Sequence, residues 1–271
     1  MIKQAIIPLA GLGTRLLPLT SVIPKELLPI NGRPGLEYIL DECIEAGIKE
    51  FIFIISPKKK MIKKYFFNDV FYKRQIKLKP KSKRLKSEYK KIKKYKKMIK
   101  FVYQNSPRGT GDAVLKCKNL IKSNFFLMLM PDDLIIGKNC SVSMIKLHEK
   151  HKSSIIASKK VNKEDVSRWG IFNLKKIDKK NFIIKDVVEK PTVNKAPSNY
   201  AVIGRYILSK NIFNVLKKQK SGKNGEIHIT DSIRSLILKE NKFIGHIFAG
   251  KYLDCGTIHG YINSSLKISR L

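Results

Sequence analysis

Apolar residues in this chain fall in short unbroken runs, and the stretches between those runs carry helical spacing. The runs "KQAIIPLA", "FIFIIS", "KFVYQ" and "FFLMLM" are too short to cross a bilayer and suit strands covered on both faces. Between the first two, "PGLEYILDECIEAG" puts Leu36, Ile39, Leu40, Cys43 and Ile44 on one helical face, with Pro34 near its start and Gly47 near its end. A basic helix is predicted from about 57 and another from about Gly111. This βαβα order predicts a Rossmann-like α/β fold, a mostly parallel central sheet flanked by helices. In the second half "SSIIASKKV", "WGIFNL", "NFIIKDVVEK" and "YAVIGRYIL" read as strands, with helices predicted near 209–218, 230–239 and 257–268. These β-branched runs extend the same sheet, so 1–271 reads as one domain, with a helical excursion at 68–100.

Composition changes this picture in one place. The apolar share of 43% and charged share of 28% are ordinary for a globular protein, but the net charge is +35. Residues 58–100 hold 20 Lys or Arg against Asp69 and Glu88, about half of the excess. Clustered cations of this kind suit a nucleic-acid-binding protein. No nucleic-acid motif accompanies them, however, and Lys, Ile and Asn are high throughout, as in a chain from an A+T-rich genome, so a solvated face is the preferred reading. Cys43, Cys117, Cys140 and Cys255 lie far apart with no C-x-x-C pair, which argues against a zinc site or a disulfide framework. The start has no charged n-region followed by a long apolar stretch. A cytoplasmic protein without a membrane segment is the expectation.

The chemistry gathers where strands end. "LAGLGTRLLP" follows the first strand, yet it fits neither a dinucleotide fingerprint, since Leu16 stands where a third glycine belongs, nor a Walker loop, since no lysine follows Gly13. Gln104 closes "KFVYQ", and Asp132 and Asp133 follow "FFLMLMP". In open α/β sheets, ligands bind at the carboxyl ends of strands, so these three groups point to one site.

In order along the chain, "IPLAGLGTRLLPLT", "IPKELLPI", "MPDD", "VEKP", "SNYAVIGRYIL" and "GEIHITDSI" resemble the sugar-phosphate nucleotidylyltransferases, within them the branch that makes UDP-glucose from UTP and glucose 1-phosphate. The likeness spans about residues 3 to 265. It implies the nucleotide-diphospho-sugar transferase architecture, a homodimer or homotetramer, and a sugar-binding second half from about 153. It implies catalytic roles for Arg15 and Lys25 on the phosphates, and nucleotide contacts from Ala10, Gly11, Gly13, Gln104 and the backbone at Gly109. It further implies Mg²⁺ on Asp132 with Asp254 as second ligand, and sugar-phosphate contacts from Gly170, Glu189, Lys190 and Gly204. Glu226 and Asp231 are expected to shape a loop and cap a helix. The chain departs from the branch at Asp112, where a small polar residue or histidine is usual, and at "INGRP", where Arg33 keeps the positive charge of a more acidic turn. A thymidylyltransferase, an inactive regulatory homologue and a nonenzymatic nucleic-acid-binding protein are the alternative readings.

Overall fold

In the computed structural model, residues 1–222, 225–240 and 243–270 are described. The first half runs β1 (Gln4–Pro8), the small pair β2 (Pro29–Ile30) and β3 (Arg33–Pro34), α1 (Gly35–Glu45), β4 (Glu50–Ile55), three basic helices α2 (Lys60–Phe67), α3 (Asp69–Leu78) and α4 (Lys83–Met98), β5 (Ile99–Tyr103), α5 (Gly109–Leu115) and β6 (Phe125–Leu129). The second half runs β7 (Asp133–Ile136), α6 (Cys140–His151), β8 (Ser154–Lys160), β9 (Gly170–Lys176), β10 (Asn181–Glu189), β11 (Tyr200–Ser209), α7 (Ile212–Lys218), α8 (Ile229–Glu240), β12 (Phe243–Ile247), β13 (Lys251–Asp254) and α9 (Ile258–Ser269).

Nine strands form one sheet in the order β5-β4-β1-β6-β11-β8-β12-β10-β9, and β7 pairs with β13 in a separate ribbon. Strand side chains alternate between the two faces, and the core divides accordingly. Ala5, Ile7, Phe51, Phe53, Leu127 and Leu129 pack under α1, α2, α4 and α6. Ile6, Ile52, Ile54, Phe126 and Met128 face α5, α7 and α8. Both faces are covered, so the central strands are apolar without interruption.

The mostly parallel expectation describes the first half and, in the second, the β8–β12 pair. Strands β5, β4, β1 and β6 are parallel. Beyond them β11 runs antiparallel to β6 and β8, and β10 runs antiparallel to β12 and β9. For the β9–β10 pair the reason is local: they are joined by the four residues 177–180, in which Asp178 accepts from the N–H groups of Lys180 and Asn181 at 2.7 and 2.8 Å. A link that short permits a hairpin and no crossover. The parallel neighbours β4 and β5 do need a crossover, and α2–α4 supply it. Helix α4 is anchored by Tyr95, whose hydroxyl donates to Asp41 at 2.6 Å, and by Lys91, 2.9 Å from Glu37.

Helix α6, strand β12, the small β2–β3 pair and the β7–β13 ribbon have no counterpart in the expectations from sequence. In α6 the buried positions Cys140, Met144, Ile145 and His148 have helical spacing, and the Asn139 side chain caps the first turn by accepting from Val142 N–H at 2.9 Å. In β12 a glycine and a histidine interrupt the apolar signal. Gly245 is required because a Cβ there would run into the Phe182 ring on β10. Gly245→Ala is therefore expected to lower stability by about 1–3 kcal/mol, read as a lower urea midpoint with unchanged slope. Among the described residues no helix is long and apolar enough to cross a membrane, and all four cysteines are buried and free.

Candidate active site

Strand β1 ends in the loop that carries Ala10, Gly11 and Gly13. Gly13 sits at φ +73°, a left-handed conformation that suits glycine, and its carbonyl accepts from Thr20 Oγ1 at 2.8 Å. Gly11 has nothing within 4 Å of a would-be Cβ, so its backbone is open to a ligand. The turn delivers Arg15 outward, 68% exposed and 3.8 Å from Asp132.

Lys25 approaches the same carboxylate from the following loop. Its Nζ lies 2.6 Å from Asp132 Oδ2, and both side chains are largely buried, 15% and 13% exposed. Burial alone would lower the Lys25 ammonium; the Asp132 carboxylate, helped by Glu26, more than offsets this and holds it above the ordinary lysine value. In return burial pushes Asp132 up, but Lys25 and then Arg15 keep it below the usual carboxylate range. Both partners are thus ionised in a sparsely solvated position. Beneath them Glu26 is held by Lys59 Nζ at 2.7 and 2.8 Å, a buried pair that fixes the loop bearing Lys25.

Asp133 turns the other way. Its carboxylate accepts from Tyr252 Oη at 2.6 Å and from Gly204 N–H at 2.9 Å. Burial, with the neighbouring Asp132 charge adding to it, pushes Asp133 up to about 6. Asp254 ends β13 opposite Asp133 in register, and its Oδ1 accepts from Gly256 N–H at 2.8 Å. A Cβ on Gly256 would stand 2.9 Å from Asp132 Oδ2 and 3.2 Å from both Arg15 Nη2 and Asp254 Oδ1. Two carboxylates and a guanidinium therefore surround one point.

Two cavities of about 480 Å³ each open on this point. The first is walled by Ala10, Gly11, Gly13, Lys25, Gln104 and Gly109, with Glu226 and His228 on its far side. The second is walled by Ser167, Arg168, Trp169, Lys190, Tyr252 and Asp254. Arg15, Met130 and Asp132 belong to both. A larger open cavity of about 830 Å³ lies on α4, but lysines line it and no carboxylate does.

Several residues predicted from sequence have other duties here. Gly204 lines neither cavity: its N–H is taken by Asp133, and a Cβ would stand 2.5 Å from Met130 Cβ, so close packing inside the protein explains the glycine. The Gly109 carbonyl accepts from Gln104 Nε2 at 3.0 Å. As the first residue of α5, Gly109 has an N–H without an acceptor inside its helix. Lys190 lines the second cavity, its backbone at φ +45° and its N–H bonded to the Trp169 carbonyl at 3.0 Å. Glu189 lies outside that wall, exposed, with its carboxylate over Gly170 on the paired strand. Asp231 does not cap α8; it lies in the first turn, and Ile229 N–H is instead met by Thr110 Oγ1 at 3.3 Å. Trp169 and Tyr252 lie outside the motifs that carry the resemblance, and His228 lies within "GEIHITDSI" without a role read from it.

Comparison with known proteins agrees with this layout. The nucleotidyl transferase family profile matches residues 4–270. A UTP–glucose-1-phosphate uridylyltransferase of Mycoplasma pneumoniae is 36% identical over 98% of this chain and 91% of its own. One of Bacillus subtilis is 35% identical over 99% of this chain and 91% of its own. A solved UDP-glucose pyrophosphorylase complexed with UDP-glucose is 36% identical, superposes with a TM-score of 0.88, and covers 100% of this chain and 99% of that one. A match that begins in the first strand and ends in the last helix leaves no part of the sheet, and neither cavity, outside it: the chain belongs to the nucleotidyl transferase family.

Proposed function

We propose that this chain transfers the uridylyl group of UTP to glucose 1-phosphate and releases pyrophosphate, acting as one unit in which the part from about 153 serves the sugar. The observation that carries the reading is the junction: two cavities of about 480 Å³ each share Arg15 and Asp132, and Lys25 binds that same Asp132 from the wall of the first. The names of the relatives support the same substrates.

A phosphate oxygen of glucose 1-phosphate attacks the α-phosphorus of UTP; the new P–O bond forms as the bond to the pyrophosphate oxygen breaks. A phosphomonoester has its second pKa at about 6, so the attacking group is already largely dianionic at neutral pH and no protein base is needed. The difficulty is bringing two polyanions together in line. Lys25 answers this with a fixed charge in a dry place, and Arg15 with a mobile guanidinium suited to two phosphate oxygens at once. Lys190 adds a cation from the sugar side. In the first cavity the Gly109 N–H and the Gln104 side chain face the base.

The residues present fit a divalent ion. Lys25 and Gly256 N–H each occupy a single oxygen of Asp132 and Asp254, and the pair offers the hard oxygen donors that Mg²⁺ takes. Bound there, it would supply further positive charge to the phosphate oxygens. Pyrophosphate release measured with UTP, dTTP, CTP, ATP and GTP, each with glucose 1-phosphate and Mg²⁺, is expected to be greatest with UTP. No release with any of the five would overturn the reading.

A further inference from the structure

A glutamine amide can be placed two ways, with nitrogen and oxygen exchanged, and at Gln104 only one of them suits the neighbours. Nε2 stands 2.8 Å from Asp112 Oδ2 and 3.0 Å from the Gly109 carbonyl oxygen. Both neighbours accept hydrogen bonds, so the exchanged amide would set its own oxygen against two others. Both amide N–H groups are thereby committed to the protein, and Oε1 is the atom left for a ligand. The rest of the residue is fixed as well: its backbone N–H donates to the Ile55 carbonyl at 2.9 Å, and it is 5% exposed in the wall of the first cavity. Asp112 is itself held in the first turn of α5, its side chain 15% exposed, with Lys116 Nζ 3.8 Å from its second oxygen.

We propose that Asp112 is a positioning residue for base selection: by fixing the Gln104 amide it makes an acceptor oxygen the group that meets the base. The inference rests on reading the glycine-loop cavity as the base pocket. Uracil carries a ring N3–H between two carbonyls, and an acceptor opposite it completes a hydrogen bond. Cytosine carries a lone pair at N3, which the same acceptor repels and leaves unpaired. Without Asp112 only the Gly109 carbonyl restrains the amide, which then turns to offer N–H to a cytosine ring. Asp112 touches no ligand in this scheme, so its loss changes the ratio between nucleotides more than the overall rate.

The test is steady-state pyrophosphate formation from UTP and from CTP, each with glucose 1-phosphate, for the parent chain, Asp112→Ala and Asp112→Leu. The kcat/KM ratio of UTP to CTP is expected to fall by about tenfold in both variants, with the CTP value rising in absolute terms. A merely structural role would lower both nucleotides together and leave the ratio unchanged, which overturns the proposal. Should the alanine variant not fold, the leucine variant, which fills the carboxylate's space without any acceptor, decides alone. A parent chain inactive with both nucleotides would remove the underlying reading, whereas an active parent with unchanged ratios in the variants removes only the role of Asp112.

Discussion

Lys25→Ala is expected to lower kcat at least about 100-fold while leaving a folded protein with near-normal KM for UTP. The Lys25 ammonium lies 2.6 Å from Asp132, which both cavities share, and its side chain is 15% exposed, so water cannot replace its charge. Asp132 would be left with Arg15 at 3.8 Å as its nearest cation. The loss should fall on kcat because the charge matters most when the pyrophosphate departs. Arginine is not expected to rescue, since a planar fork does not fit where a compact ammonium is enclosed. Pyrophosphate release and a thermal melt on the same preparation check this; turnover within threefold of the parent, from a protein that melts normally, would take Lys25 out of the reaction.

The second large effect concerns stability. Arg205 is fully buried on β11, and its guanidinium is bonded to Glu42 of α1 through Nε at 3.1 Å and Nη2 at 2.8 Å. Glu42 also accepts from the Ser141 hydroxyl at 2.6 Å, tying α6 into the same knot. Breaking such a pair from one side strands a charge without water, so Arg205→Met should cost about 3–5 kcal/mol. Glu42→Leu together with Arg205→Met should recover most of that loss, because nothing charged then remains inside. Urea unfolding of the two variants checks both statements, and a single variant that unfolds at the parent midpoint contradicts the first. The activity has a stake in this pair as well: Arg205 Nη1 donates to the Met130 carbonyl at 3.2 Å, two residues before Asp132.

The strands of the first half were legible because each is buried on both faces and reads as an unbroken apolar run, and α1 was legible from one clean stripe between Pro34 and Gly47. Strand direction in the second half was not, because apolar content says nothing about polarity; only at β9–β10 does a short turn, 177–180, dictate a hairpin. Strand β12 was hidden by Gly245, a residue chosen for the ring of Phe182 across the sheet. Among the site residues, Arg15, Lys25, Gln104, Lys190, Asp132 and Asp254 lie along the two cavity walls, since motif order marks loops at strand ends. Gly204 lies outside both cavity walls and packs against Met130, and a glycine that admits a ligand and one that admits a neighbouring side chain look identical in sequence. Arg205, next to it, carried no signal at all, because its partner lies 163 positions away.

The two cavities draw on almost separate parts of the chain, sharing only Arg15, Met130 and Asp132 among the described residues. Descendants of such a protein can therefore exchange one reactant for another by altering 167–169 or Tyr252 without disturbing how the other reactant is chosen. The three shared positions have no such freedom. Variation should accumulate in two independent patches around a small frozen centre, and a chimera that trades one patch alone should inherit its donor preference from one parent and its acceptor preference from the other.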